Sequence, residues 1–248
     1  MPLIISSSGF SFPKDNQREN QDSIMYPIES GDGYLLAIAD GVGGYKGGKE
    51  ASSSIISSLS KVNINENDLD ATFNILKKTI DNLSKNNEDF KSAATTLTFC
   101  YVSDRGLEIG HTGDCRLYLK RENKLIQITK DHTQHQMLID EGYFTAKQLK
   151  NAQGKNVITS ALSAKLPLNY QSLIIPINEL PLEERTLNIY LMSDGTHIHW
   201  EGRPRFSSST LESPSRFASS MQRRIETKGP TDDYSLLAIK ILFNVTDN

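Results

Sequence analysis

Four strand-length segments crowd into residues 95–128, and no other feature of the chain constrains its fold as much. They lie at 95–103, 107–112, 116–120 and 125–128, with only a few residues between them. Asp104-Arg-Gly106 has the composition of a hairpin turn. Parallel neighbours need crossovers of a dozen or more residues, so segments this close must pair antiparallel. Further strands are expected at 33–39, 171–177, 186–192 and 234–243. Helices are expected at 48–61 and 68–85; in the second, Phe73, Leu76, Ile80 and Leu83 recur at helical spacing. Thr133-Gln-His-Gln136 and Thr145-Ala-Lys-Gln148 read as capping boxes. Ser213 followed by Pro214 reads as the start of a further helix. Strands in runs and helices in pairs define an α+β class, with antiparallel sheets covered by helices.

With 27 basic and 30 acidic residues, the net charge of −3 lacks the basic excess of a nucleic-acid binder. Only two cysteines occur, Cys100 and Cys115, and they form no C-x-x-C pair. Such sparing use suits a reducing compartment. The start shows no basic segment leading into a long apolar run. The longest apolar stretches fall far short of the ~20 residues that span a bilayer. The reading is a cytoplasmic chain without membrane contact, with one domain over 1–248. Ser207-Ser-Ser-Thr210 is the nearest approach to low complexity.

The acidic residues carry the chemistry. Asp40 ends an apolar strand and leads into Gly41-Val-Gly-Gly44. Asp194 also ends an apolar run and precedes Gly195. Asp232 precedes the last strand, Asp114 sits in a Gly-Asp-Cys-Arg turn, and Asp22 stands before the first expected strand. A carboxylate at the end of a buried strand is costly unless it is paired or binds a cation. Taken singly, an Asp before a Gly is most often a turn residue or cap. Converging at one end of a sheet, these acids would form a hard, oxygen-rich site suited to Mg²⁺ or Mn²⁺.

In order, the chain carries Arg18-Glu-Asn-Gln-Asp22, Asp40-Gly-Val-Gly-Gly44, Gly48-Lys-Glu-Ala-Ser52, Thr95-Thr96 and Gly113-Asp-Cys-Arg-Leu-Tyr118. Thr129-Lys-Asp-His132, Asn156-Val-Ile-Thr-Ser-Ala-Leu162, Ser193-Asp-Gly195 and Asp232-Asp-Tyr-Ser235 follow. This ordered set, over roughly residues 9–241, resembles the protein phosphatase 2C (PPM-type) family in its compact bacterial form. The resemblance implies a four-layer α-β-β-α sandwich, two antiparallel sheets flanked by helices, with a binuclear Mn²⁺ or Mg²⁺ centre at one end. It implies hydrolysis of phosphoserine and phosphothreonine on proteins by a metal-activated water, reversing a bacterial-type Ser/Thr kinase, by a monomeric enzyme. Position by position, Asp40 would bridge both ions, and Asp194 and Asp232 would complete the first site. The carbonyl of Gly41 would bind the second ion, with Asp22 holding its waters. Asp114, together with Asp194, matches the position of a third, weaker ion. Arg18 would clamp the phosphate, since its planar fork suits that anion. Residues 137–170 match the family's flap, which lies beside the cleft.

The chain departs from the family pattern at four points. Arg18 stands four residues before Asp22, where relatives usually space the pair by five. Val42 replaces the histidine of animal members, Cys115 replaces a serine, and Asp233 replaces an asparagine. Cys115 reads as a buried, inert thiol. His132 reads as structural. His197-Ile-His199 reads as a polar loop near the mouth of the site, with a transition-metal pair as the alternative. Trp200, Arg203 and Arg205 read as a solvated basic-aromatic loop, with recognition of a phosphopeptide or partner as the alternative. Gly43-Gly44 and Gly47-Gly48 lack the Walker spacing of a nucleotide-binding loop. Two rival readings remain: a phosphatase-like binding module with a weakened site, and a two-metal hydrolase of a small phosphoester.

Overall fold

The structure is a computed structural model; it describes residues 1–42, 47–64, 68–149, 152–154 and 157–244. Gly43, Gly44 and Asn156 of the motifs above lie outside the described residues. Among the described residues, the strands are β1 (Leu3–Phe12), β2 (Asp22–Ser30), β3 (Gly33–Asp40), β4 (Ala94–Thr95), β5 (Leu97–Ser103) and β6 (Gly106–Thr112). They continue with β7 (Arg116–Arg121), β8 (Lys124–Gln127), β9 (Leu162–Ser163), β10 (Gln171–Pro176), β11 (Thr186–Met192) and β12 (Tyr234–Leu242). The helices are α1 (Gly48–Leu59), α2 (Leu69–Asn86), α3 (Gln134–Asp140), α4 (Ala146–Leu149), α5 (Asp194–Glu201), α6 (Ser208–Leu211) and α7 (Pro214–Lys228).

Two five-stranded sheets form, in the orders β1-β12-β11-β7-β8 and β10-β6-β5-β3-β2, with every neighbouring pair antiparallel. The period of two along each strand builds the layers. In β3, Leu35, Ala37 and Ala39 pack with α1 and α2 residues such as Ile55, Phe73 and Leu76. Leu36 and Ile38 point the other way, into the core between the sheets, with Leu117, Ile189, Leu191, Leu237 and Ile239. In β11 the alternate set, Tyr190 and Met192, packs outward with Phe217, Met221 and Ile225 of α7. Three apolar clusters therefore separate four layers, the expected α-β-β-α sandwich.

The local signals hold where they rest on side-chain chemistry. Thr133 accepts from the Gln136 amide. At α4 the box is reciprocal: Gln148 Oε1 accepts from the Thr145 amide, and Thr145 Oγ1 accepts from the Gln148 amide. Ser213 caps α7, with Pro214 in its first turn.

Four expectations need correction. The first strand is β1, and Asp22 opens β2 instead of standing before any strand. The run at 95–103 breaks after Thr95, so that β4 pairs with β9 and β5 stays in the large sheet. His197 and His199 sit on a helix, α5, and both are buried. Trp200 is also buried, packed against Phe206 and Phe217. Burial of these three side chains, Trp200 against α7 and His197 against the β6–β7 turn, outweighs the weak helix propensity of a Gly-Thr-His sequence.

Candidate active site

Strand pairing sets the first two acids side by side. Asp22, opening β2, lies opposite Asp40, closing β3. The Asp40 backbone is held from β4: its amide donates to Thr96 Oγ1 at 3.0 Å, and its carbonyl accepts from Thr95 Oγ1 at 2.9 Å and the Thr96 amide at 2.8 Å. The Gly41 amide donates to the Gln21 carbonyl at 3.2 Å. A Cβ at Gly41 would stand 2.4 Å from the Gly48 carbonyl oxygen, so no side chain fits there.

Asp194 begins α5, directly after Ser193. Ser193 is the tie that sequence reading missed. Its hydroxyl donates to Asp22 Oδ2 at 2.9 Å and accepts from the Ser235 amide at 2.9 Å, joining β2, α5 and β12 at one point. A serine before Asp-Gly reads only as a helix cap in sequence, and its side chain caps nothing in α5. Asp114 lies in the turn between β6 and β7, after Gly113 at φ 102°. His197 Nε2 donates to the Asp114 carbonyl at 3.1 Å, in the tautomer that carries that proton. Asp232 lies just before β12 and is half-exposed.

Arg18 reaches this cluster despite its shifted spacing. Its guanidinium lies 3.6 Å from Asp232 and 3.6 Å from Asp233. Asp233 builds the loop that delivers it. Its carboxylate, almost fully buried, accepts from the Lys14 amide and the Gln21 amide, each at 2.8 Å. Replacing Asp233 by Ala leaves both amides without partners. We expect a loss of about 1–3 kcal/mol in urea unfolding, together with new protease sensitivity in the 13–21 loop. An unchanged midpoint would show that water serves those amides equally well.

Electrostatically, these acids are crowded beyond their ease. Burial raises the Asp40 carboxyl well above the usual range, and the charges of Asp22, Asp194, Asp114 and Asp232 push it further. Burial also raises Asp22 to about 7, against the lowering effect of Ser235 and Ser193. Asp114 rises to about 8 through burial and the charge of Asp194, and Asp194 to about 6 through burial and the charge of Asp232. Lys49 Nζ, the nearby ammonium, donates to the Asp22 carbonyl and leaves its carboxylate alone. Arg116 is taken by Asp131, at 2.8 and 2.6 Å, and by Glu201.

One oxygen each of Asp22, Asp114 and Asp194 is buried with no hydrogen-bond partner. Buried acceptors without donors are rare, and the charge of Asp194 acts on both Asp22 and Asp114. Such a donor set fits a hard cation. Among the described residues, no three His, Cys, Asp or Glu side chains enclose an ion by themselves. Backbone carbonyls and water would complete any coordination. A cavity of about 280 Å³ adjoins the cluster, lined by Asp114, Asp194, His197 and Arg116, with Ile139 and Leu149 of α3 and α4 beside them. The segment expected to be a flap thus borders the acids. Cys115 is buried, its thiol bonded to Thr96 Oγ1 at 3.2 Å and pushed up by burial, which makes it an inert group. His132 bonds the Gly113 amide through Nδ1, in keeping with a structural role.

An α-β-β-α sandwich with buried carboxylates gathered at one end of its sheets defines a class of metal-dependent hydrolase folds. The family model for protein phosphatase 2C matches residues 14–238, and the chain belongs to that family. The serine/threonine protein phosphatase PstP of Mycobacterium tuberculosis is 33% identical over 150 residues. That stretch is 58% of this chain but only 28% of the relative's length. A crystal structure of the Mycobacterium tuberculosis serine/threonine phosphatase PstP/Ppp superposes with a TM-score of 0.75 at 27% identity, covering 98% of this chain and all of that one. The catalytic domain of PstP in complex with two manganese ions superposes with a TM-score of 0.74 at 25% identity, over 96% of this chain and 99% of that one.

Proposed function

We propose that this chain is a protein-serine/threonine phosphatase that removes phosphate from phosphoserine and phosphothreonine with the help of two Mn²⁺ or Mg²⁺ ions. The observation that carries this reading is the set of buried, partnerless carboxylate oxygens on Asp22, Asp114 and Asp194, gathered beside Asp40 in a protein phosphatase 2C fold.

Asp40 would serve both ions, with Asp194 and Asp232 completing the first site and the Gly41 carbonyl and, through water, Asp22 the second. Asp114 with Asp194 would hold a third, weaker ion. When bound, such ions lower the pKa of a water and neutralise charge on the phosphoryl oxygens. The chain's own groups do the rest. Asp22 and Asp40, in register across β2 and β3, orient what lies between them. Ser193 keeps Asp22 in place through its hydroxyl. With Asp232 holding a cation, Arg18, now 3.6 Å from that carboxylate, would grip a phosphate through its fork. Phosphoryl transfer depends on positioning and charge neutralisation, which these groups supply without a nucleophilic side chain.

The natural substrates would be phosphoproteins, with a Ser/Thr kinase as counterpart. We read residues 1–248 as one catalytic domain acting as a monomer, with 137–170 as a flap. Two free, buried cysteines support a cytoplasmic setting. Among the described residues, no helix is long and apolar enough to cross a membrane.

The direct test is phosphate release from a phosphothreonine peptide, with and without Mn²⁺, by wild type and Asp194→Asn. Metal-dependent release that the substitution removes would support the reading. No release from folded wild type would overturn it in favour of a binding module. Arg18→Ala is expected to raise KM for the peptide about 10-fold or more, the scale of one charge-assisted contact, with a smaller fall in kcat. Unchanged KM would remove Arg18 from phosphate binding.

A further inference from the structure

A second site lies at the far end of α5. The helix runs from Asp194 at the acid cluster to Glu201, about 12 Å at 1.5 Å per residue. There a cavity of about 710 Å³ opens between the 203–207 segment and α7. Arg203, Arg205, Arg223, Arg224 and Lys228 line it, with Ser and Thr hydroxyls of α7 and no carboxylate among the lining residues. In a chain of net charge −3, five cations around one cavity reverse the prevailing sign. Among the described residues, Arg203, Arg205, Arg223 and Lys228 have no ion-pair partner, and all four are exposed. The neighbouring acids face other partners: Glu201 pairs with Arg116, Glu212 accepts from Ser208, and Glu226 accepts from Gln222.

The cavity wall is fixed in place. Arg224 donates to the carbonyls of Arg203 at 2.8 Å and Arg205 at 3.1 Å, which sets the loop bearing both arginines. Its guanidinium lies 4.0 Å from the Phe206 ring centroid and 5.9 Å from that of Trp200. The mutual repulsion leaves a trace: burial and the charge of Arg203 depress the Arg224 guanidinium, and Lys228 and Arg224 help depress His199. Like charges held together without counter-ions favour an anionic ligand. Planar guanidinium forks beside hydroxyl donors match a phosphate in shape and hydrogen bonding.

We propose that this cavity binds the phosphate monoester dianion of a phosphorylated peptide, at a site separate from the acid cluster. The choice of a phosphopeptide rests on the activity proposed above; free inorganic phosphate is the other source of the same chemistry. The site would hold a second phosphorylated residue of a substrate and raise its local concentration at the acids.

The test uses the full chain freed of metal, in which the acid cluster repels anions. Inorganic phosphate, a phosphothreonine peptide and its unphosphorylated form are titrated by calorimetry. Trp200, the only tryptophan, serves as a local fluorescence reporter. Wild type is compared with the double variant Arg203→Ala/Arg223→Ala, two exposed positions outside the proposed catalytic machinery. Expected is saturable binding of the phosphopeptide, at least tenfold weaker in the variant and weakened by salt. Mn²⁺-dependent hydrolysis of a small aryl phosphate should stay unchanged in the variant. Equal binding of both peptides, or equal binding by wild type and variant, would overturn the proposal. Binding of inorganic phosphate with none of the phosphopeptide would overturn the peptide assignment. Because binding is read without metal, a failure of the phosphatase reading appears separately, as absence of hydrolysis.

Discussion

Asp40→Asn is expected to stabilise the metal-free protein while removing its phosphatase activity. Asp40 is the most crowded acid of the cluster: burial raises its carboxyl, and four neighbouring carboxylates raise it further. In the unfolded chain it ionises near the ordinary aspartate value, so folding at neutral pH must either bury a charge or take up a proton. Either way folding is opposed. Asparagine keeps the shape and removes that opposition. A gain of about 1–2 kcal/mol would raise Tm by about 2–8 °C in a chain of this size. The gain should shrink as pH falls toward about 3, where aspartate is largely neutral in both states. The same substitution removes the proposed bridge between two cations. Mn²⁺ should then no longer raise Tm, and phosphate release should fall at least ~10³-fold, about 4 kcal/mol of transition-state stabilisation. Thermal melts across pH and a phosphopeptide assay read both halves. A variant that is less stable without metal would mean that Asp40 is held by favourable contacts. A variant that is still active would refute the bridging role.

The wild-type protein without metal should lose stability as pH rises from about 4 to 8. The folded carboxyls of Asp194, Asp22 and Asp114 titrate near 6, 7 and 8, all above the usual aspartate range. Between that range and these values the native state binds more protons than the unfolded state. The derivative of unfolding free energy with pH is then negative, so stability falls with rising pH. This is the reverse of an acid held by a salt bridge, whose contribution is lost as pH falls. Cation binding changes the sign. A divalent ion requires the carboxylates ionised, so it displaces their protons and binds more tightly as pH rises. The Tm increase on adding Mn²⁺ should therefore be several degrees larger at pH 8 than at pH 5. Melts with EDTA and with excess Mn²⁺, at matched ionic strength, measure it. A metal-free Tm that stays flat over this range would show that the acids are not forced together.

The acids themselves were legible because each stands at a strand end beside a turn, a position that chemistry must justify. Antiparallel sheets covered by helices were legible because close-set strand runs admit only antiparallel pairing; the four-layer sandwich followed from the family resemblance. β1 was not, because its serines dilute the apolar signal and its partner, β12, lies at the other end of the chain. Leu3 pairs with Leu242, a contact no local window contains. The break after Thr95 was hidden for a related reason: β4 leaves the large sheet to pair with β9, which also lies far along the chain.

Sequence by itself therefore determined the fold class, the caps of α3, α4 and α7, and the identities of the acidic residues. Those follow from side-chain periodicity and short-range hydrogen bonding, which act within a few residues. Only tertiary structure decided that His197, His199 and Trp200 belong to a buried helix. Only tertiary structure brought Arg18 to Asp232 through a loop tied down by Asp233, and used Ser193 to join three elements at Asp22. It also gathered Arg203, Arg205 and Arg223 around one cavity. Each of these depends on groups distant in the chain meeting in space, where burial and charge neighbours, not local propensity, set the free energy.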